Sequence, residues 1–430
     1  MKIQNVKGGY DFLPNEEKIR NYIKDTLKET FEEYGYNPIE TPILCYYDIL
    51  SDKYDKNSDI LKEIYKLKDQ GERKLGLRYD LTVPFAKFIA LNKNNISFPF
   101  KRYEIAKVFR DGPVKTGRDR EFTQCDIDVV GDDSRYIEIE LLTLCINAFK
   151  KLNIDIIIKY NSRNLMNGII INSGIDPNLI GEVTAIIDKK DKIIKEEFDN
   201  YLLDLGIETN KIKNLYNYFS MSLDEIIEKF KESDNNYIIE GLKEIKELRN
   251  YIKELNIEDI CIFDPTLVRG QNYYTGNVFE IYAKNEKIKS SIAGGGRYDN
   301  MITNFIDDGN EYPAVGIGFG LSPIYEILKT REDLNKKSNL DIYIIPLNTK
   351  IECLKIANEL RNYGYKVDIE TKKRKMKKSL DYANKENIPY VIIVGEDEIN
   401  TNIIKVKDMF KNKEIKINLN NLETIKNYIS

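Results

Sequence analysis

Residues 109–131 read FRDGPVKTGRDREFTQCDIDVVG, a polar loop that leads into a run of β-forming residues. Glycine and proline punctuate β-formers around 105–130 and around 75–85, which predicts strands of a mixed or antiparallel sheet. Gln124 and Asp128 lie four residues apart, so on a strand their side chains point to the same face. Both a ligand-binding face and ordinary strand packing are consistent with this pattern.

A second stretch, LVRGQNYYTGNVFE at residues 267–280, combines a cation, a glycine turn and two adjacent tyrosines. Arg269 is always charged, and its planar guanidinium suits carboxylate and phosphate oxygens. Tyr273 and Tyr274 offer flat apolar faces with a hydroxyl at the tip, which suit a small aromatic, polar ligand. These residues alone fit equally well a strand and turn with a surface arginine.

Length and composition limit the class of protein. A chain of 430 residues is too long for one ordinary core and predicts two or three domains. It has no signal-type apolar run and no stretch of about 18 apolar residues, so we expect a soluble, cytoplasmic protein without membrane contacts. Five scattered cysteines indicate reduced thiols. The net charge of −4 gives no nucleic-acid signal, so any RNA contact must come from a local basic patch.

Histidine is completely absent from the chain. This absence removes histidine general bases, Ser-His and Cys-His nucleophile pairs and imidazole metal ligands. The sequence has no C-x-x-C pair either, so no metal site made of His or Cys side chains is expected. Two explanations of this absence stay open: selection on a protein that must be made when histidine is scarce, and drift in a Lys/Asn/Ile/Tyr-rich proteome.

Periodicity divides the chain into segments. Residues 16–33 have helical spacing that ends before Gly35. From about 160 to 257 the sequence becomes charged and helical, as in the stretch Ser222–Leu255, which indicates a helical module inserted between two halves of one sheet. Strand-like segments then resume at 260–282, 288–295 and Ala314–Gly320.

A polar stretch from Thr330 to Asn339 is predicted to be a linker. Beyond it, strand and helix patterns alternate, with strands at 340–347, 366–370 and 389–395 separated by helices at Ile351–Tyr363 and Lys375–Asn387. Alternation of this length predicts a small α/β domain with a parallel or mixed sheet.

Four motifs resemble those of the histidyl-tRNA synthetase family, in the family's order and roughly its spacing. Residues 35–42 (GYNPIETP) resemble motif 1 of the class II aminoacyl-tRNA synthetases, and residues 109–131 resemble motif 2. Residues 267–280 and residues 293–299 (AGGGRYD) resemble the two histidine signatures of the family. With the C-terminal region, which resembles the family's anticodon-binding domain, the resemblance covers nearly the whole chain.

The resemblance implies an α+β fold, a class II antiparallel sheet flanked by helices, with a helical insertion and a C-terminal α/β anticodon-binding domain. The implied domains are a catalytic domain at 1–159 and 258–329, a helical insertion at 160–257, a linker at 330–339 and an anticodon-binding domain at 340–430.

The activity implied is that of a histidine–tRNA ligase, which joins L-histidine and ATP into histidyl-adenylate and then charges tRNA(His). The first step is an in-line displacement at the α-phosphorus, so the protein must position its substrates and neutralise charge. Mg²⁺ should accompany ATP, and motif 1, with Pro42, implies a homodimer. The rivals are a regulatory paralogue that controls histidine biosynthesis and a tRNA-binding pseudo-synthetase that makes no adenylate.

The resemblance also assigns the residues that handle ATP. Arg110 matches the motif 2 arginine that bridges the α-phosphate and the amino-acid carboxylate, and Arg269 matches the catalytic arginine set opposite it. Phe122 matches the residue on which adenine stacks. Arg118 lies in the motif 2 loop, where the family contacts the outer phosphates or the acceptor end of tRNA.

The histidine pocket is implied by the same comparison. Asp80 and Thr82 match the position that binds the α-ammonium, although many family members have glutamate where Asp80 stands. Gln124 and Asp128 match the residues that hold the amino-acid backbone and the ring nitrogen. The full implied set is Asp80, Leu81, Thr82, Arg110, Gln124, Asp128, Arg269, Tyr273, Tyr274 and Tyr298.

Three further features complete the expectation. The glycines at 294–296 are expected to let the backbone approach the ligand closely, and those at 316–320 to lie on a strand under the adenosine. Motif 3 normally ends in Gly-x-Glu-Arg, whereas here Pro323 occupies the arginine position, in what should be the first turn of a helix. A basic run is the candidate tRNA contact, although a solvated helix start explains it equally well; it comprises Lys372, Lys373, Arg374 and Lys375 and continues to Lys377 and Lys378.

Overall fold

The computed structural model divides the chain into two compact units, Met1–Lys329 and Thr330–Ser430. It describes residues 3–51, 59–114, 119–270, 273–331, 334, 338–372 and 374–429.

An eight-stranded sheet lies at the centre of the described part of the first unit, beside a three-stranded sheet. The strands are β1 (Asn37–Pro38), β2 (Leu44–Tyr46), β3 (Lys66–Lys68), β4 (Lys74–Leu77), β5 (Phe100–Phe109), β6 (Glu121–Val130), β7 (Ile156–Ser162), β8 (Cys261–Phe263), β9 (Asn277–Ala283), β10 (Ala293–Arg297) and β11 (Ala314–Gly320).

The large sheet has the order β1-β5-β6-β11-β10-β9-β7-β8. Its central strands, from β5 to β7, all pair antiparallel, whereas β1 pairs parallel with β5 at one edge and β8 pairs parallel with β7 at the other. The small sheet, β2-β4-β3, is antiparallel. The predicted mixed or antiparallel sheet is therefore confirmed, and the stretch at 109–131 contains the central strand β6.

Helices surround the sheets. They are α1 (Pro14–Glu33), α2 (Tyr47–Ser51), α3 (Asp59–Glu63), α4 (Thr82–Asn92), α5 (Arg135–Lys151), α6 (Arg163–Asn172), α7 (Ile180–Ile187), α8 (Lys195–Asp204), α9 (Thr209–Phe219), α10 (Leu223–Lys229), α11 (Asn236–Glu254), α12 (Asp299–Ile306) and α13 (Leu321–Leu328), with 3₁₀ turns at Pro177–Leu179 and Lys190–Lys192.

The helix predicted at 16–33 is confirmed as α1. Pro14 occupies its first turn, and the backbone N–H of Leu13 donates to the carboxylate of Glu16 at 2.7 Å. Its spaced apolar side chains, which include Leu27 and Phe31, are fully buried. Gly35 follows with φ of +79°, a conformation that favours glycine and ends the helix.

The strand predicted around 75–85 is only partly correct. β4 ends at Leu77, and α4 begins at Thr82. Asp80 favours this helix start because its Oδ1 accepts the backbone N–H of Val83 at 3.0 Å. Pro84 lies in the first turn, where its missing N–H costs no helical hydrogen bond. Side-chain capping therefore outweighs the local β propensity.

The stretch Ser222–Leu255 also differs from a single helix, since α10 and α11 are separated by residues 230–235. The side chain of Asn235 accepts the backbone N–H of Tyr237 at 3.0 Å and starts α11 afresh. The helices from α6 to α11 lie between β7 and β8 in the chain, and these two strands pair with each other in the large sheet.

The second unit is a five-stranded sheet with helices on both faces. Its elements are β12 (Ile342–Pro346), α14 (Lys350–Asn362), β13 (Val367–Ile369), α15 (Met376–Lys385), β14 (Tyr390–Val394), α16 (Glu396–Thr401), β15 (Ile403–Asp408), β16 (Lys413–Asn418) and a 3₁₀ segment at Leu419–Asn427.

The strand order of this unit is β13-β12-β14-β15-β16, parallel over the first three strands and antiparallel after β14. Alternate residues of β12 pack on opposite faces: Ile342 and Ile344 join the core under α14, and Tyr343 and Ile345 join the core under α15. The predicted strand–helix alternation and mixed sheet are confirmed. Among the described residues of the chain, no helix has both the length and the apolar character needed to cross a bilayer.

Candidate active site

Glycines on two neighbouring strands form the floor of a cavity of about 230 Å³ in the first unit. Gly294 and Gly296 of β10 pair with Gly318 and Gly316 of β11, and residues that pair directly in an antiparallel sheet share a face. A Cβ on Gly316 would stand 1.9 Å from Oδ1 of Asp128, closer than any real contact. The glycines therefore leave a trough, two strands wide, that admits polar side chains from both sides.

A polar wall rises from β6 along one side of this trough. Gln124, Asp126 and Asp128 alternate along the strand and pair with successive glycines of β11, so all three line the cavity. The spacing of Gln124 and Asp128 thus puts both on one face, as predicted. Asp126 was missed, although the same two-residue alternation would have found it.

Behind this wall lies a buried cation that sequence reasoning also missed. Arg102, on β5 opposite Asp128, is fully buried and forms an ion pair with Oδ2 of that aspartate. Tyr298 donates its hydroxyl hydrogen to the other oxygen of Asp128. The carboxylate of Asp128 is therefore held from two sides, and its orientation is fixed before any ligand arrives.

The same network continues away from the cavity. Nη1 of Arg102 lies 3.8 Å from Oε2 of Glu104, and Oε1 of Glu104 accepts from Arg78 at 3.0 Å. Both the backbone N–H and the hydroxyl of Thr41 donate to Oε1 of Glu104 at 2.9 Å. Hydrogen bonds and ion pairs among these buried residues therefore connect the motif at residues 35–42 to the cavity. Charged residues on a strand as buried as β5 were the signal that could have revealed the network.

Two arginines line the cavity, one after β5 and one in the segment between β8 and β9. Arg110 follows β5, and its guanidinium lies 4.2 Å from the ring centre of Tyr79 and 5.0 Å from that of Phe122. Arg269 reaches over Gly294, where a Cβ would meet its Nη1 at 2.7 Å, and donates to Glu280 at 2.6 Å. Sequence reasoning predicted both arginines, and the structure brings them to one cavity.

Three tyrosines line the cavity together. The ring centres of Tyr273 and Tyr274 are 4.7 Å apart, and Tyr298 meets Tyr273 edge-on at 6.0 Å. Tyr274 and Tyr298 are buried, and burial raises the pKa of both phenols, so both remain hydrogen-bond donors at neutral pH.

Of the three residues predicted at 80–82, two line the cavity and one is buried in the core. Asp80 and Thr82 line the cavity, at the start of α4. The side chain of Leu81 is fully buried and is not among the cavity-lining residues, since it points into the core beneath the helix.

Several predicted residues lie elsewhere. Arg118 and Lys373 fall outside the described residues. Lys372, Arg374 and Lys375 belong to the second unit, where Arg374 pairs with Glu370 at 3.0 Å and stacks over Tyr382.

Pro323 lies in the first turn of α13, as predicted. A Cβ on Gly320, which lines the cavity, would lie 2.8 Å from Cγ of Pro323. Next to it, Ser322 donates to Asp119 at 2.9 Å. An apolar ring therefore lies next to a cavity-lining glycine, at the sequence position where the family resemblance implied a guanidinium.

Burial controls the charges on the acidic wall. It raises the pKa of Asp126 well above the usual carboxyl range, and Arg102 offsets this only in part. It also raises the pKa of Asp128, again opposed by Arg102. A cationic ligand in the cavity would stabilise the ionised form of both groups. Among the described residues, no cluster of three or more acidic or cysteine side chains could hold a metal ion.

Comparisons with known proteins agree on a single family. A sequence model of the family described as "Histidyl-tRNA synthetase" matches residues 8–324, and one described as "Anticodon binding domain" matches residues 341–426. The chain is 46% identical over 424 residues to "Histidine--tRNA ligase 1" of Bacillus cereus, covering 98% of this chain and 99% of the relative. It is 43% identical over 408 residues to "Histidine--tRNA ligase 2" of Shouchella clausii, covering 94% and 96% of the two chains.

Comparison of structures supports the same family as comparison of sequences. The crystal structure of histidyl-tRNA synthetase from Nostoc sp. PCC 7120 superposes with a TM-score of 0.83 at 28% identity, covering 100% of both chains. The family model covers well over half of the chain, and the relatives match it from end to end. The chain therefore belongs to the histidyl-tRNA synthetase family.

Proposed function

We propose that this chain is a histidine–tRNA ligase, which activates L-histidine with ATP to histidyl-adenylate and transfers the histidyl group to tRNA(His). The observation that carries this proposal is the convergence of Arg110 and Arg269 on one cavity, in a chain 46% identical along its length to proteins named histidine–tRNA ligase.

Both arginines serve the adenylation step in this proposal. The carboxylate of histidine attacks the α-phosphorus and pyrophosphate leaves, so negative charge develops on the equatorial oxygens. Among the described residues, Nε of Arg269 is buried without a hydrogen-bond partner, which supports a role as donor to an anionic oxygen. Glu280 accepts from Nη1 of the same guanidinium and so sets the direction of Nε. Arg110 is the proposed second donor, on the side of the cavity near Phe122.

Phe122 is the proposed stacking surface for adenine. In the structure the guanidinium of Arg110 lies over its ring, at 5.0 Å from the ring centre. ATP would therefore move this guanidinium from the ring towards the α-phosphate. Pro323 adds an apolar surface nearby in place of a second cation, and we propose that stacking and the phosphate contacts hold ATP here.

The tyrosines and the acidic wall form the proposed histidine pocket. Asp128, oriented by Tyr298 and Arg102, would accept a ring N–H of the substrate, and Tyr274 would donate to the other ring nitrogen. An apolar amino acid of similar shape would leave these buried groups unpaired, which is the strongest basis for rejecting it. Asp80 and Thr82 are the proposed partners of the α-ammonium.

Mg²⁺ would enter with ATP in this proposal. The described residues provide no cluster of carboxylates for it, so phosphate oxygens and water would be its main ligands. No catalytic role of a side chain in the scheme above depends on it.

We further propose a cytoplasmic homodimer. Apolar side chains lie exposed on and beside the small sheet, immediately after residues 35–42; Leu44 and Tyr46 are each 53% exposed, and Leu67 of β3 is 42% exposed. Apolar side chains clustered on one surface are typical of a subunit interface.

The second unit is the proposed tRNA-binding module, since it matches an anticodon-binding domain model. Within the basic run, Arg374 is already occupied by Glu370 and Tyr382. Lys375, Lys377 and Lys378 at the start of α15 are the better candidates for phosphate contacts.

Charging of a tRNA(His) transcript with labelled histidine tests the proposal. We expect charging by the wild-type chain, and loss of charging in Arg269→Gln with histidine binding retained. A folded protein that binds histidine but charges no tRNA would instead support the regulatory alternative.

A further inference from the structure

Asp126 stands out in the cavity because its buried carboxylate forms no ion pair with a cation among the described residues. Arg102 pairs with Asp128 and lowers the pKa of Asp126 only from a greater distance. Of the acidic groups nearby, Asp128 pairs with Arg102, and Glu280 pairs with Arg269 at 2.6 Å. Asp126 is only 5% exposed, and its contact among the described residues is the side-chain amide of Gln124, at 3.4 Å. A buried carboxylate left in this state is costly, so it is retained where a ligand supplies the missing charge.

The absence of a side chain at Gly318 makes room for this carboxylate. On β11, Gly318 stands directly opposite Asp126, and a Cβ there would lie 2.6 Å from its Oδ1. Any other residue at 318 would push the carboxylate aside. The carboxylate therefore opens onto the glycine floor, where a substrate would lie.

A buried oxygen without a hydrogen-bond donor in the described part of the chain lies beside Asp126. Among the described residues, Oε1 of Gln124 is buried without a hydrogen-bond donor. One group with several N–H donors and a positive charge would satisfy this amide oxygen and the neighbouring carboxylate together. An ammonium group has these properties, whereas a neutral ring N–H brings no charge.

The spacing along β6 agrees with the size of the substrate. Asp126 and Asp128 are two residues apart on one face, about 7 Å along the strand. This separation is comparable with the length of histidine from its ammonium nitrogen to its far ring nitrogen. An imidazole bound at Asp128 thus brings the ammonium of the same molecule to Asp126.

We infer that Asp126, together with Oε1 of Gln124, binds the α-ammonium of the histidine substrate and supplies the negative charge that selects an amino acid there. This inference rests on the proposed function and adds a carboxylate to the ammonium site at Asp80 and Thr82. Asp80 is shorter than the glutamate common at its position in the family, and its Oδ1 already accepts from the start of α4. The carboxylate of Asp80 extends less far than that of a glutamate, and Asp126 supplies the additional negative charge near the ammonium.

The test compares two ligands that differ at the α position. L-Histidine carries the ammonium, and imidazole lactate carries a hydroxyl in its place. Binding of each to the full-length chain is measured by calorimetry for the wild type, Asp126→Asn and a control, Glu33→Gln. Glu33 forms a surface pair with Lys151 outside the cavity, so its variant should bind both ligands as the wild type does.

We expect Asp126→Asn to weaken histidine binding by about 10-fold or more, the usual effect of losing a charged hydrogen bond. Binding of imidazole lactate should change by less than about threefold. Equal weakening of both ligands would show that Asp126 only shapes the pocket, and unchanged histidine binding would show that it does not contact the ammonium. Either result overturns the inference. Failure of the wild type to bind histidine would refute the proposed function itself.

Folding is controlled in two ways. The melting temperature of Asp126→Asn should equal or exceed that of the wild type, because a neutral amide replaces a buried carboxylate whose burial Arg102 offsets only in part. If this variant fails to fold, Gly318→Ala keeps the carboxylate but displaces it, and it should show the same selective loss of histidine. Wild-type affinity for histidine in a folded Gly318→Ala variant would contradict the inference.

Discussion

The glycine floor leads to a prediction about one methyl group. In Gly316→Ala the added Cβ would stand 1.9 Å from Oδ1 of Asp128, whereas real contacts of this kind stay beyond about 3.0 Å. Gly316 has no left-handed backbone conformation, so alanine is unfavourable there because of close contacts alone, and the added Cβ would also stand 2.7 Å from the backbone oxygen of Ile127. The aspartate must move by about 1 Å or more from the position in which Tyr298 and Arg102 hold it.

The energetic cost follows from these contacts. Overpacking a close-packed interior costs about 1–3 kcal/mol. Displacing Asp128 also disturbs its ion pair with the buried Arg102, and complete loss of such a buried pair costs about 3–5 kcal/mol. Partial loss of the ion pair and the overpacking together should lower the free energy of unfolding by about 3 kcal/mol. For a unit of this size, that lowers the melting temperature by roughly 5 °C. The affinity for histidine should fall by more than about 10-fold, because the ring loses its oriented acceptor.

Gly181→Ala is the matched control. Gly181 lies in α7, where a Cβ would meet nothing within 4 Å. Alanine should leave histidine binding unchanged and stabilise the helix by up to about 1 kcal/mol. Differential scanning fluorimetry and calorimetry with histidine measure both variants. A Gly316→Ala protein as stable as the wild type, and with its histidine affinity, would refute the account of the glycine floor.

Four further outcomes are expected. Arg269→Gln should lower the rate of histidine-dependent pyrophosphate exchange by about 100-fold or more while the dissociation constant of histidine changes little; equal loss of both would contradict a role in the transition state. Phe122→Leu should raise KM for ATP by about 10-fold without changing KM for histidine, and a change in both would show a general distortion of the site. The double variant Lys375→Ala/Lys377→Ala should reduce the salt slope of tRNA binding by roughly 2, and an unaltered slope would remove these lysines from the interface. Because burial raises the pKa of Asp126, the folded chain holds the carboxyl proton more tightly than the unfolded chain does. The free energy of unfolding of the wild type should therefore fall relative to that of Asp126→Asn as pH rises from about 4 through the folded pKa. Parallel plots of unfolding free energy against pH for the two proteins would contradict this.

The sequence predicted the fold where pattern and local chemistry agree. The helix at 16–33 has an apolar stripe and a glycine stop, and the C-terminal alternation of strands and helices is regular, so both predictions are confirmed. The prediction around 75–85 was wrong for α4 because a side-chain contact, from Asp80 to the backbone of Val83, starts the helix there. This contact joins residues only three apart, and aspartate before a helix is a local start signal that the reading by β-forming residues did not use.

The candidate site was predictable in its motifs and less so in its supporting charges. Gln124 and Asp128 were placed on one face by spacing alone, and the same logic applied to Asp126. Arg102 could not be found in this way, since its role depends on which residue of β6 stands opposite it. Strand register is set by the whole sheet, and a single sequence does not contain it.

The most direct test of the central claim is exchange of labelled pyrophosphate into ATP by the wild-type chain, with each amino acid in turn. The account predicts exchange that requires histidine, proceeds with Pro323 in the motif 3 position, and is lost in Arg269→Gln. A folded, histidine-binding protein that catalyses no exchange would contradict it and would identify the chain as a histidine-binding regulator.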